Sequence, residues 1–149
     1  MATWTIRAVE PGDAVAMAEV FRRASLANEG DREALVAHPE VLEIEGEALA
    51  GSTVAAVDGT VIGFIRLVRG DGTADLEDLF VDPDWMRRGV ASDLVRHEAD
   101  AARRAGVARI DLTANLHALA FYESVGFVLD GEEQTRFGPA ALMHLDLDR

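Results

Sequence analysis

The residues with the clearest chemical use lie in Leu76-Glu77-Asp78-Leu79-Phe80-Val81-Asp82-Pro83-Asp84-Trp85-Met86-Arg87-Arg88-Gly89-Val90-Ala91. A strand-like run, Leu76 to Val81, enters a turn at Asp82-Pro83, and small residues then open a helix. Gly89 and Ala91 let backbone N–H groups approach an anion closely. A helix start adds unpaired donors and the positive end of its dipole. Arg87 and Arg88 put mobile positive charge beside those donors, and Ser92 adds a hydroxyl. The pattern points to a bound pyrophosphate; the competing reading is an ordinary strand-to-helix turn carrying two surface arginines. Upstream in the strand, alternation puts Glu77 on the face of Leu79 and Asp78 on the other.

Two absences narrow the chemistry. The chain of 149 residues has no cysteine, and all 14 of its basic residues are arginine. Disulfides, thiolate metal sites and cysteine nucleophiles are excluded. So are Schiff-base lysines and a Walker-type phosphate loop. Ser25, Ser52, Ser92 and Ser124 lack a nucleophile elbow. His38, His97, His117 and His144 lack metal-ligand spacing, so no metal is expected. With 27 acidic residues the formal charge is −13. That balance argues against nucleic acid and against an anionic membrane surface. It favours cationic partners through its field, unless it serves only as a solvated surface. No apolar run approaches the ~20 residues of a membrane span, and the start, Met1 to Arg7, does not read as a signal peptide. The expected address is cytoplasmic.

These side chains need a frame, and the length fits one domain over residues 1–149. Ile6 to Val9 reads as a strand, turned by Glu10-Pro11-Gly12. Asp13 is then the expected N-cap of a helix through Val15, Ala18, Val20, Phe21 and Ala24. A second helix is expected over Asp31 to Ala37. Thr53 to Val57, the Asp58-Gly59 turn and Val61 to Val68 read as a hairpin, and Asp71-Gly72 leads into Ala74 to Val81. A long helix follows from about Gly89 to Ala105, with Val90, Leu94, Val95, Ala101, Ala102 and Ala105 on its apolar side and Gly106 as its stop. Ala108 to Thr113 is a strand, and Asn115 to Val125 a helix ended by Gly126. Phe127 to Leu129 and Ala141 to Leu147 are two closing strands. This order is not a regular βαβ alternation, so the fold class is α/β (α+β), a mixed sheet with helices on both faces.

The segment Asn115-Leu116-His117-Ala118-Leu119-Ala120-Phe121-Tyr122-Glu123-Ser124-Val125-Gly126-Phe127 reads N-x-x-A-x-x-F-Y-x-x-x-G-F. Together with the Arg-Gly-Val-Ala turn, it closely resembles the GCN5-related N-acetyltransferase (GNAT) family. The likeness runs from Ile6-Arg7 to Leu145-Leu147 and is sharpest between Asp75 and Phe127. It implies a mostly antiparallel central sheet, splayed between its fourth and fifth strands, with acetyl-CoA as acyl donor. The family's loop, Q/R-x-x-G-x-G/A, falls on Met86 to Ala91. Met86 departs from the family's Gln or Arg, which leaves the pyrophosphate to backbone donors of Arg87, Arg88, Gly89, Val90 and Ala91, with Ser92 beside them. Leu79, Phe80 and Val81 would offer unpaired backbone groups to the amides of the pantetheine arm. Asn115 would bond the arm from the other side, with Ala118 and Phe121 packed along it. Asn115 also suits a helix N-cap, and Phe121 also suits core packing.

Acyl transfer to an amine poses two proton problems. Neutralising a primary amine of pKa ~10.4 near pH 7 costs about 4.6 kcal/mol, and the thiolate leaving group needs a donor. Tyr122, the one tyrosine in the chain, sits at the family's general-acid position. At ordinary values, tyrosine to thiolate is uphill by roughly 2 kcal/mol. The strand around Glu77 is similar to that of diamine and polyamine acetyltransferases, which implies a base or amine-orienting role for Glu77. A solvated edge carboxylate is the alternative, and Asp75 and Asp78 are the fallback bases. Without cysteine or lysine, direct transfer in a ternary complex is the economical route. Seven acids from Glu29 to Glu47 (Glu29, Asp31, Glu33, Glu40, Glu43, Glu45, Glu47), with Glu132 and Glu133 in the expected loop between the last strands, suggest a cationic small-molecule amine as acceptor. Acetylation of a protein N-terminus is the first competitor, although Leu112-Thr113-Ala114-Asn115 lacks the Glu-Val-Arg run of that branch. A noncatalytic acyl-CoA-binding regulatory module is the second, opposed by Tyr122 and the intact loop. A homodimer is compatible with the resemblance.

Overall fold

The computed structural model describes residues 3–27, 50–136 and 138–147. The helix expected over Asp31 to Ala37, and the acids from Glu29 to Glu47, lie outside the described residues. In chain order the elements are β1 (Thr5–Ala8), a 3-10 turn (Pro11–Asp13), α1 (Ala14–Ala27), β2 (Thr53–Val57), β3 (Thr60–Arg69) and β4 (Thr73–Val81). There follow a 3-10 turn (Pro83–Trp85), α2 (Val90–Arg104), β5 (Arg109–Asn115), a 3-10 turn (Leu116–Ala118), α3 (Leu119–Ser124), β6 (Val128–Thr135) and β7 (Gly138–Asp146). The strands form one sheet in the order β1-β2-β3-β4-β5-β7-β6. It is mostly antiparallel, with β4 parallel to β5. The β4–β5 ladder runs only from Thr73↔Arg109 to Asp75↔Asp111, while β4 itself continues to Val81. That short ladder lies where the splay was expected.

Two compact units make up the chain: Met1–Arg66 with Asp78–Leu94, and Leu67–Glu77 with Val95–Arg149. In the first, Met17 and Val20 of α1 are buried against Val54, Val61 and Phe64, with Phe21 and Phe80 packed around them. Fully burying such side chains is worth roughly 1.5–3 kcal/mol each, more than an exposed ion pair supplies. Phe64 faces α1, whereas Gly63, its neighbour on β3, faces the start of α2. A Cβ at Gly63 would lie 3.0 Å from the Phe80 carbonyl oxygen and 3.4 Å from side-chain carbons of Val81 and Val90. Helix start and strand end therefore meet with room for hydrogen alone.

In the second unit, alternation sorts β5 cleanly. Ile110 and Leu112 are buried, and Arg109, Asp111 and Thr113 take the other face. The helix α2 closes with Val107 N–H bonded to the Ala102 carbonyl at 2.9 Å and Gly106 N–H to that of Arg103 at 3.1 Å. This Schellman pattern satisfies carbonyls that the helix leaves over.

Three expectations are corrected. Asp13 does not cap α1; its carboxylate accepts the Glu10 N–H at 2.8 Å and pairs with Arg7 at 2.8 and 3.1 Å. The helix expected from Asn115 starts later, because Asn115 ends β5 and a 3-10 turn intervenes. Glu132 and Glu133 lie within β6 opposite Ala141 and Ala140, so they are not in a loop. The closing strands are longer than their apolar residues suggested, since β6 is exposed along most of its length.

The Arg7–Asp13 pair generates a stability prediction. Asp13 is 7% exposed, and the Arg7 guanidinium holds its carboxyl below the usual 3.8. The pair's contribution is therefore complete above pH 3.8 and is lost as pH falls through the lower folded-state value. Asp13→Asn should cost about 1–2 kcal/mol at pH 7, because it removes the charge that pairs with Arg7 and weakens the acceptor of the Glu10 N–H, while Arg7 keeps the Ala8 carbonyl and Glu10. Urea denaturation of both proteins across pH should show that difference shrinking at acid pH.

Candidate active site

The loop ahead of α2 is built by its backbone. Asp82 accepts the Asp84 N–H at 2.9 Å and caps the 3-10 turn at Pro83–Trp85. Arg23 of α1 clasps the same turn through Asp82 at 2.9 Å and Asp84 at 3.2 Å. The chain then reverses through positive φ at Arg87 (63°) and Gly89 (96°). Glycine tolerates this without cost, whereas arginine does not. Among the described residues, the first helical bond of α2 runs from Asp93 N–H to Gly89 O at 3.0 Å. The N–H groups of Val90, Ala91 and Ser92 are the helix's orphan donors. Arg87, Arg88 and Gly89 are exposed, Ala91 and Ser92 half-buried, and Val90 is buried, so Val90 offers only its backbone. The arrangement is an anion cradle of N–H groups flanked by two guanidinium groups.

Along the strand that feeds the loop, Leu79 is half-buried and Val81 buried. The Phe80 ring lies 4.8 Å from Phe21 and 5.7 Å from Phe64, so its side chain belongs to the core. Asp78 is engaged: Arg66 Nε donates to its Oδ2 at 2.7 Å.

In the second unit, a groove of about 420 Å³ is lined by Asp75 and Glu77 of β4, Arg109, Asp111 and Thr113 of β5, and Asp130 of β6, among others. Glu77 is exposed there. Arg109 donates to Asp111 at 2.7 Å and lies 3.8 Å from Asp130, so the one arginine of this lining is tied to two of its acids. His144 Nδ1 lies 2.8 Å from the Asp130 carboxylate.

Tyr122, on α3, is 8% exposed, with the rings of Phe121 and Phe127 at 5.1 and 5.5 Å. The turn after it fixes this position: Phe127 N–H bonds the Tyr122 carbonyl at 3.0 Å and Gly126 N–H that of Glu123 at 3.1 Å. Gly126 has φ 106°, and a Cβ there would meet a Leu145 methyl at 3.2 Å, so only glycine closes the turn. Burial pushes the Tyr122 hydroxyl up to about 12. The group stays protonated, yet handing its proton to a thiolate of pKa ~8.5 is uphill by about 5 kcal/mol, more than ordinary values suggest. Asn115 is exposed at the N-cap position, with φ −61° and ψ 147°, but its side chain makes no capping bond. Ala118 and Phe121 are half-buried.

The acetyltransferase (GNAT) family model matches residues 8–127. The chain belongs to the GNAT family. Among GNAT proteins, a ribosomal protein bS18-alanine N-acetyltransferase of Escherichia coli K12 is 40% identical over 57 residues, 36% of this chain and 38% of that protein. The chain thus aligns with well under half the length of this curated relative. The crystal structure of the ribosomal-protein-S18-alanine N-acetyltransferase from Escherichia coli is 25% identical, with TM-score 0.75 over 99% of this chain and 96% of that one. A PaiA N-acetyltransferase from Thermoplasma acidophilum, solved in complex with coenzyme A, is 20% identical, with TM-score 0.74 over 97% and 99% of the two chains.

The loop and Tyr122 are candidates from the family resemblance, whereas the groove acids Asp111 and Asp130 are not among the sequence's candidates. The alternation Arg109-x-Asp111-x-Thr113 held the signal for the first, while Asp130 lies past the point where β6 was expected to end. No group of three or more His, Asp or Glu among the described residues is placed to hold a metal.

The strained loop can be tested by thermal melts. Arg87→Gly should raise stability by about 1 kcal/mol by relieving a left-handed arginine, and Gly89→Ala should lower it by about 1 kcal/mol or more. Gly89→Ala should also weaken CoA binding, since it turns the backbone donors.

Proposed function

We propose that the chain moves an acetyl group from acetyl-CoA to a primary amine by direct transfer in a ternary complex, with a cationic small molecule of the diamine or polyamine type as acceptor. The observation that carries the acceptor class is the groove, where the exposed Glu77 stands with Asp75, Asp111 and Asp130 and the single lining arginine is already paired. A second reading, an α-amino group at a protein N-terminus, is favoured by the 40% identical segment shared with the bS18-alanine enzyme. Both acceptors are cations at neutral pH, and both need a base.

Glu77 is our candidate for that base or for orienting the amine. Asp78 is a weaker candidate because Arg66 already occupies it, and Asp75 shares the groove. The cradle at Arg87 to Ser92 suits the pyrophosphate through N–H groups and guanidinium charge. The backbone of Leu79 to Val81, together with Asn115, Ala118 and Phe121, is assigned to the pantetheine arm. Tyr122 is assigned to the sulfur. Its raised pKa favours a hydrogen bond that strengthens as thiolate charge develops, rather than complete proton transfer.

The acceptor is tested by following thiol release from acetyl-CoA with putrescine, spermidine, a neutral amine and a peptide beginning with alanine. Preference for the di- and polyamines is expected. Preference for the peptide would transfer the assignment to the second reading, and thiol release with neither would sink both. Tyr122→Phe should lower kcat by roughly 10²-fold with little change in acetyl-CoA KM. Glu77→Gln should lower kcat by a similar factor, roughly 10²-fold, whereas Asp78→Asn should act mainly on stability.

A further inference from the structure

Arg88 is exposed, and a guanidinium on so long a stem ordinarily samples many rotamers. Here its Cζ lies 4.9 Å from the centre of the Trp85 ring, within cation–π range. Trp85 in turn meets the edge of Trp4, with ring centres 6.4 Å apart and planes at 85°. The Trp4 indole Nε1–H donates to Asp93 Oδ2 at 3.0 Å, and Asp93 stands in the first turn of α2. The Trp85 backbone is held as well, its N–H bonded to the Asp82 carbonyl at 2.8 Å. Two indoles thus join the loop to the first turn of the helix that follows it. Among the described residues Arg88 makes no ion pair. A stacked guanidinium keeps its N–H groups at its rim, free for another acceptor.

We propose that Trp85 is a positioning residue that pre-orders Arg88 to bind a phosphate of the CoA nucleotide, with Trp4 and Asp93 holding the platform. The inference rests on reading Met86 to Ser92 as the cofactor loop. Stacking orders the cation without neutralising it, whereas a carboxylate partner would compete with the ligand. Fixing the side chain beforehand removes part of the ordering cost of binding.

Calorimetric titration of the full chain with CoA and with 3′-dephospho-CoA tests this. Arg88→Ala should weaken CoA roughly 5–10-fold, as for a partly exposed charge-assisted contact. Trp85→Leu should weaken it about 2–5-fold, and Trp85→Phe should restore most of the loss. The double variant should bind no more weakly than Arg88→Ala alone, because Trp85 acts through Arg88. Weakening confined to CoA would assign Arg88 to the 3′-phosphate; equal weakening of both ligands would assign it to the pyrophosphate. Wild-type affinity in Trp85→Leu, or additive losses in the double variant, would overturn the proposal. Gly89→Ala separates this from the loop reading. If it weakens CoA while Trp85→Leu does not, only the positioning role falls. If neither Gly89→Ala nor Arg88→Ala weakens CoA, both fall. Should Trp85→Leu fail to fold, the wild-type proton spectrum decides. Ring-current upfield shifts of the Arg88 δ-protons are expected, and random-coil values would overturn the stacking.

Discussion

An α-helix cannot satisfy its own first N–H groups, and at the start of α2 the chain meets that constraint with an exposed turn, Arg87 to Gly89. Much of the first unit follows from that choice. The donors stay exposed only if the preceding turn bends away, and the bend forces positive φ on Arg87 as well as Gly89. The turn needs anchoring, which Asp82 and Arg23 supply from below and the Trp4–Trp85 pair from the side. Gly63 completes the arrangement by letting Val90 sit against β3, so that the donors rest on a buried base.

Tyr122 depends on a different constraint. Burial keeps a phenol protonated and also makes it a poorer acid. The aromatic neighbours and the tight turn at Gly126 fix both properties together. The consequence is a group suited to donating a hydrogen bond to developing negative charge while keeping its proton.

The loop and the Tyr122 segment were legible because both are local. Each consists of residues whose roles depend on neighbours a few positions away, such as Gly89 before a helix or Gly126 after one. The hairpin turn at Asp58-Gly59 was readable for the same reason. Side-chain partners are harder to read than turns. Asp13 suits a helix cap by type, but its carboxylate goes to Arg7 and the Glu10 N–H, and the Arg66 pairing of Asp78 needs β3 and β4 side by side. The length of β6 could not be read from periodicity, since its residues are largely exposed and its pairing with β7 is made by the backbone. The groove acids share a face only because β4, β5 and β6 are brought into register by pairings far apart in the chain.

The chain has two tryptophans, and both sit in the cluster beside the anion cradle. Light absorbed near 295 nm is therefore absorbed almost wholly within a few ångströms of the loop. Emission excited there reports on that corner of the molecule and on little else, and on the proposed reading of the loop it becomes an optical gauge of nucleotide binding. The second unit contains no tryptophan, so a loss of ligand response can be told apart from a loosening of β6 and β7.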